Sequence, residues 1–286
     1  MLHESIQPTH FGDLFHQGQF EKIYKQTSQE FQSLVTLEQF EELAAPFNAD
    51  VSSYQLELST TIGNIVQYLW LDDQREKAIH VSFDENGMIQ SFYLKPYTTY
   101  PDSDKRYTEN TYIMPITGDW FVFWGGTNEF INYHYAYENQ RYAYDLIQVK
   151  DGASFKESPL QNEHFYAFNQ EILSPAAGKV VKVIDGLHDN TPGEMDADNP
   201  AGNYVIIEHS YKEYSMLAHL RKHSIKVREG DAVTEGQCIG CCGNSGNSSE
   251  PHLHFQVMDS PDFYNATSIR IRFKNGLDPV QGDTIC

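Results

Sequence analysis

The chain has 286 residues, 40 acidic against 20 basic side chains, a formal net charge of −20 and a hydrophobic content of 40%. That length allows about two domains of ~100–200 residues each, and the apolar fraction is enough to give both a core. The acidic balance argues against nucleic acid as a partner, because phosphate binding runs on Lys and Arg, and no run approaches the ~18 apolar residues of a membrane span.

Met1-Leu2-His3-Glu4-Ser5 lacks a basic start followed by an apolar stretch, so no secretory signal peptide is expected. Either the chain has been trimmed or it stays inside the cell. Residues 1–96 read as a small α+β accessory domain. Phe11, Leu14 and Phe15, then Phe20, Ile23 and Tyr24, recur at helical spacing. Thr36-Leu37-Glu38-Gln39 fits a capping box that opens a helix through Phe40 and Leu43, with Pro46 as its stop. The strands YQLELSTTI, NIVQYLWLD, KAIHVSFD and MIQSFYLKP follow, the last two joined by a turn at Asp84-Glu85-Asn86-Gly87. The segment GQFEKIYKQTSQEFQSLVTLEQF resembles the cone-shaped α+β domains, cystatin-like or ketosteroid-isomerase-like, that precede hydrolase domains in some bacterial proteins. His16 and His80 are lone histidines with structural roles expected.

Residues 97–109 are polar and contain a proline, so they read as a linker. From 110 to 286 the pattern turns to β: TYIMPI, WFVFWGG, RYAYDLIQV, GKVVKVIDG, NYVIIEH, EYSMLAHL, CIGCC and HLHFQVM, with no long helix. The expected fold is therefore an α+β N-terminal domain followed by an all-β domain of antiparallel sheet. Asp185 to Asn203 reads as a long acidic loop. Cys238, Cys241, Cys242 and Cys286 read chiefly as small buried hydrophobes. The lone C-x-x-C spacing has no second pair to complete a zinc knuckle.

His252-Leu253-His254 carries the most chemistry. Residues two apart on a strand face the same way, so two imidazoles converge on one spot. His219 in YSMLAHL, and His134 and Asp145 in NYHYAYENQRYAYDL, supply further groups. Histidines and a carboxylate on separate strands suit a zinc site with catalytic partners. No H-E-x-x-H helix is present, so the common helical zinc-protease arrangement is absent.

SPAAGKVVKVIDG, GNYVIIEH, YSMLAHL and VREGDAVTEGQCIGCCGNSGNSSEPHLHFQV, in that order, closely resemble the LytM/lysostaphin-type zinc endopeptidases of bacterial cell walls, over roughly residues 110–260. The resemblance implies an antiparallel LytM-type peptidase domain and one Zn²⁺ per chain. It implies Asp145 and His254 as metal ligands, and His219 and His252 as catalytic histidines. Most of the family place a histidine four residues before the aspartate, where this chain has Arg141, which cannot bind a metal. A subset carries Asn-x-His…Gln-x-Tyr-Ala-x-Asp, which Asn132-Tyr133-His134 and Gln140 to Asp145 fit, making His134 the third ligand. Asn203 and Tyr204 match a Gly-Asn element at the cleft rim, so substrate contact is expected there. The implied substrate is a peptidoglycan peptide, and the implied location is extracellular or in the cell envelope. A cytoplasmic role is the alternative, given no visible signal.

Around the site, His209 reads as a strand-end histidine and His188 and His223 as exposed. Tyr133, Tyr135, Tyr137, Tyr142 and Tyr144 fit strand packing or an aromatic wall equally well. A catalytically inactive binding or regulatory module on the same scaffold is the main alternative. A lipoyl-type carrier, suggested by VREGDAVTEGQCIG, lacks the acceptor lysine. The N-terminal domain is expected to position substrate, bind a protein partner or shield the cleft. If it shields, the isolated second domain would be the more active form.

Overall fold

The computed structural model describes residues 6–286. Met1 to Ser5, read above for an export signal, lie outside the described residues. The chain divides into two compact units, Met1–Thr98 and Thr99–Cys286.

In the first unit, helices α1 (Phe11–His16), α2 (Phe20–Lys25), α3 (Gln29–Leu34) and α4 (Leu37–Asn48) precede the strands β1 (Tyr54–Ile62), β2 (Ile65–Asp72), β3 (Lys77–Phe83) and β4 (Ile89–Pro96). The strands form an antiparallel meander in chain order. Each helix is short, so little of its stability is intrinsic. Phe11, Phe15, Phe20, Ile23 and Phe40 bury one helical face against Trp70, Ile79, Val81 and Phe83 of the sheet. The capping box forms as expected: Thr36 Oγ1 accepts from the Gln39 N–H, and Gln39 Oε1 accepts from the Thr36 N–H. Pro46 does not stop α4, which runs two residues further to Asn48. Proline removes only its own N–H, and Ala49 N–H still closes the last turn on Pro46 O at 3.2 Å. At the β3–β4 turn the Asp84 carboxylate accepts from the N–H groups of Asn86 and Met88, the local pairing that favours aspartate in turns.

The second unit begins with the segment expected as a linker. Pro101–Asp104 forms a short helix, α5, and residues 99–109 cluster with the second unit. The strands are β5 (Trp120–Trp124), β6 (Tyr144–Ile147), β7 (Glu171–Leu173), β8 (Gly178–Ile184), β9 (Asn203–Glu208), β10 (Tyr214–Leu220), β11 (Ala232–Val233), β12 (Cys238–Cys241), β13 (Leu253–Met258) and β14 (Thr284–Ile285). Eight make one antiparallel sheet in the order β11-β8-β9-β10-β13-β6-β5-β14, and β12 pairs with β7. The central strands β10 and β13 are buried along their whole length. Leu217, Leu253, Phe255, Val257 and Leu146 point into the main core. Among the described residues no helix is long and apolar enough to cross a membrane.

TYIMPI does not form a strand. Tyr112 makes an isolated bridge to Phe273, Ile113 N–H donates to Pro175 O and Pro115 O accepts from Leu173 N–H, but these bonds do not build a ladder, and Pro115 lacks the donor one needs. The cysteines also depart from expectation: only Cys242 is buried, Cys238 and Cys241 are half-buried and Cys286 is exposed, all four unpaired.

Gly12 in α1 supplies a test of the first core. An added Cβ would lie 2.8 Å from Trp70 Cδ1, and Trp70 is only 1% exposed and has nowhere to move. Alanine gains up to ~1 kcal/mol in helix propensity, but overpacking costs ~1–3 kcal/mol. Gly12→Ala is therefore expected to lower the urea midpoint of the first unit's unfolding, and an unchanged or raised midpoint would contradict this packing.

Candidate metal centre

Strand register brings the key side chains together. Asp145 on β6 is the Cα partner of His254 on β13, and His254 is also paired with Ala218 on β10. Directly opposed residues of an antiparallel pair share a face. Carboxylate and imidazole therefore meet on the side opposite Leu146, Leu253 and Phe255, and Ala218 leaves them room. His254 Nδ1 lies 2.9 Å from Asp145 Oδ1. His134 comes from the four-residue 3-10 turn Tyr133–Ala136, and its Nε2 lies 3.0 Å from Asp145 Oδ2. One donor atom from each of His134, Asp145 and His254 fall within 4.8 Å of one another, and all three residues are buried.

His252 precedes β13, and its Nε2 faces Asp145 Oδ1 at 3.8 Å. His219 reaches the same face by a different device. Its φ is +60°, and the β10–β9 register shifts between Leu217 and Leu220. This bulge inserts one extra residue, so Ala218 and His219 both leave the core side before Leu220 returns to it. A non-glycine residue at positive φ is strained by ~1–3 kcal/mol; the ring that results stands 4.6 Å, centroid to centroid, from that of His252.

Hydrogen bonds set which nitrogen of each ring carries a proton. Gln256 Nε2 donates to Asn139 O, so its Oε1 is the acceptor for His254 Nε2–H at 2.8 Å. In neutral His254 the Nδ1 lone pair then points at the Asp145 carboxylate. Two acceptors 2.9 Å apart repel unless a proton or a cation lies between them, and two imidazole nitrogens with a carboxylate oxygen are a donor set that zinc accepts. His134 Nδ1 is buried without a partner, so the ring's hydrogen bond is the one its Nε2 makes with Asp145. His219 Nδ1–H donates to Ser245 O at 2.8 Å, and His252 Nδ1–H to Glu250 O at 2.9 Å. Both rings therefore offer Nε2 as a free base.

The electrostatics follow from burial and mutual charge. Burial raises the Asp145 carboxyl, but the imidazoles of His134 and His252 overcome this and hold it well below the usual range. Burial pushes His134 down, against the pull of Asp145. Burial, with the neighbouring His252 and His254, pushes His219 well down. His254 is raised: burial opposes its charge, but Asp145 and Gln256 prevail.

Two hollows meet at the cluster and share Tyr133 and Asn247. One, of about 320 Å³, is bordered by His134, His219, Tyr137 and Tyr264. The other, of about 490 Å³, is bordered by Trp124, His252, Glu250 and Met195. A larger hollow of about 900 Å³ lies in the first unit, but among the described residues no metal-binding group falls there. The tyrosines divide: Tyr135, Tyr142 and Tyr144 are packed inside, while Tyr133 and Tyr137 are exposed and line the cleft.

Asn203 departs from its expected role. It is fully buried, its Oδ1 accepts from Leu187 N–H, and its Nδ2 donates to Leu187 O and Leu220 O. An amide so occupied pins the acidic loop to β10 and has nothing left for a substrate. Tyr204 packs edge-on against Phe263 at 5.6 Å and is absent from the residues bordering either hollow. His209 is buried between Ala177 O and Ser215 Oγ, and His188 and His223 are exposed. Sequence reasoning missed Gln256 and Ser245. Gln256 was within reach of the same period-two rule that singled out His252 and His254; Ser245 acts through its backbone carbonyl, which residue type does not reveal.

Residues 164–266 match the model of Peptidase family M23. The matched stretch includes His219, His252 and His254 and begins after His134 and Asp145. Peptidoglycan DD-endopeptidase ShyA of Vibrio cholerae is 43% identical over 65 residues, covering 22% of this chain and 15% of that protein. Lysostaphin of Staphylococcus simulans is 43% identical over 68 residues, covering 23% and 13%. The chain thus spans well under a fifth of either relative. A solved structure of a zinc-containing peptidase from Vibrio cholerae aligns with 68% of this chain and 52% of that one, at 19% identity and a TM-score of 0.28. The stretch from 164 to 266 is of the LytM/lysostaphin type.

Two measurements test this geometry. Gly202 has φ +60°, and an added Cβ would lie 2.3 Å from Ser245 O, the acceptor for His219. Gly202→Ala is expected to destabilise the second unit by ~1–3 kcal/mol and to loosen His219, seen as mixed tautomers in ¹⁵N spectra. In metal-free protein near pH ~6.5, the ordinary histidine value, ring NMR should find His219 neutral and His254 charged. By linkage, His219 then costs stability as pH falls below the unfolded value toward its lowered one. His254 contributes stability at low pH and loses it as pH rises through its raised value. The reverse assignment would refute the hydrogen-bond pattern.

Proposed function

We propose that this chain is a zinc-dependent endopeptidase that hydrolyses peptide bonds of peptidoglycan, with an N-terminal accessory domain and a peptidase domain after it. The observation that carries the reading is the pair of opposed acceptors, His254 Nδ1 and Asp145 Oδ1, with His134 Nε2 against the same carboxylate. That grouping needs a proton or a cation between the acceptors, its donor set suits zinc, and two histidines with Nε2 turned from their backbone partners stand beside it. The family of residues 164–266 and the similarity to a peptidoglycan DD-endopeptidase support the substrate class. They also favour an extracellular or envelope location.

His134, Asp145 and His254 would hold the ion. Bound there, zinc would supply a Lewis acid that polarises the scissile carbonyl and lowers the pKa of water toward ~7. The remaining steps fall to the chain. His219 or His252 takes the attacking water's proton at Nε2 and passes it to the leaving amine, general acid–base catalysis worth ~10²–10⁴-fold. The other ring, after taking a separate proton from bulk water at Nε2, donates it as a hydrogen bond to the carbonyl oxygen as charge develops and returns it to solvent on product release, and one such donor contributes ~2.7–4 kcal/mol. The Ser245 and Glu250 carbonyls keep both rings from turning, and Gln256 fixes His254 as a ligand through Nδ1. An extended peptide would lie across the two hollows between Tyr133, Tyr137 and Trp124.

Elemental analysis of the purified full chain should find one zinc per chain, removed by chelation and lost in Asp145→Ala and His254→Ala. His219→Ala should keep its zinc while kcat on wall peptides falls ~10²–10⁴-fold. A chain that binds wall peptides but takes up no metal would be the non-catalytic module instead.

A further inference from the structure

The position four residues before Asp145, where most of the family have a histidine, holds Arg141, and its side chain is turned to another task. Its guanidinium carbon lies 3.5 Å from the centre of the Tyr100 ring, and its Nε donates to Tyr135 O at 3.1 Å. Arg141 is only 8% exposed. A guanidinium stacked on an aromatic face while its edge still donates uses both features in which arginine differs from lysine.

The contacts continue from there. Tyr100 N–H donates to Tyr135 Oη at 2.9 Å. Tyr135 Oη and Tyr142 Oη donate to the two carboxylate oxygens of Asp104, each at 2.9 Å. Arg270 Nη1 donates to Asp104 O. Every one of these bonds ends on Tyr135 or on a group that holds it, and Tyr135 directly follows His134 in the chain. On the other side Asn132 Nδ2 contacts the carbonyls of Gly126, Arg141 and Ala143, and its Oδ1 accepts from His134 N–H. His134 stands in a single 3-10 turn outside the sheet, an element too short to be rigid by itself. Asp145 and His254, by contrast, are locked by strand register.

We propose that Tyr100, Asp104 and Arg141 form a clamp that positions His134 for the metal, so that the arginine replacing a ligand serves the replacement ligand. This rests on the metal reading above. None of the three touches the ion or substrate; they are positioning residues that act through Tyr135. Partners that orient a metal's ligands typically change affinity ~10–100-fold when lost, and that range is the expected size of the effect.

The test uses the full chain and measures zinc affinity by competition with a chromophoric chelator, together with the unfolding midpoint of the metal-free form. Tyr100→Ala and, separately, Arg141→Gln should each weaken zinc binding ~10–100-fold. Metal-free midpoints should move much less than zinc-loaded ones. Tyr100→Phe keeps the ring and the backbone N–H and should bind as the parent does. Cobalt substitution adds a spectroscopic readout: the visible bands should change in Tyr100→Ala and not in Tyr100→Phe. If the parent binds zinc and both disruptive variants bind it equally tightly, the clamp is refuted and the metal reading stands. If the parent binds no zinc, the metal reading fails and the clamp falls with it. If one variant does not fold, the other decides.

Discussion

The second unit depends on one cross-strand pair. His254 opposite Asp145 places an imidazole and a carboxylate within 2.9 Å on a buried face, and strand register makes that meeting obligatory. A slip of one residue in β13 would send His254 into the core and bring Leu253 out to the site, because strand side chains alternate faces. Leu217, Phe255 and Val257 on the opposite face hold the register through apolar burial. The packing that stabilises the sheet therefore also sets the spacing of the polar cluster, and no separate scaffold is needed for it.

The four histidines show how one residue type is divided among tasks by its hydrogen bonds. Where a ring bonds through Nε2–H to a side-chain amide, Nδ1 is turned toward the carboxylate, as in His254. Where it bonds through Nδ1–H to a backbone carbonyl, Nε2 is left facing the cleft, as in His219 and His252. Burial and crowding then separate their proton affinities, with His219 pushed down and His254 raised. A neutral His219 and a charge-bearing His254 can coexist a few ångströms apart because each ring has a different partner.

The sequence made the regular parts legible. The β1 span was read to the residue, and the capping box at Thr36 and Gln39 formed as its spacing implied. His252 and His254 were singled out by period-two alternation together with His219, His134 and Asp145 in other apolar segments. What failed did so for identifiable reasons. β7, β11 and β14 are two or three residues long, too short for any periodicity to appear. The segment 97–109 looked like a linker because Tyr100 and Asp104 sit among polar residues, and their partners Arg141, Tyr135 and Tyr142 are distant in the chain. Asn203 was matched to a substrate element by position, whereas its neighbours Leu187 and Leu220 occupy all of its amide. The positive φ at His219 leaves no trace in residue type, since strain of that kind is imposed by the bulge around it.

The eight-stranded sheet begins and ends with strands of only two residues, β11 and β14. A sheet margin is where a foreign strand can zip on, and the reach of that zipping scales with the length of backbone left unpaired. Here the margin strands themselves offer two residues each, and the part of β8 that β11 leaves uncovered carries the exposed Lys182 and has its Val183 N–H taken by the Glu229 carboxylate. The long, fully buried apolar strands stay in the interior of the order. Edge-to-edge pairing between copies is thereby disfavoured, with the chain's −20 charge adding mutual repulsion between them.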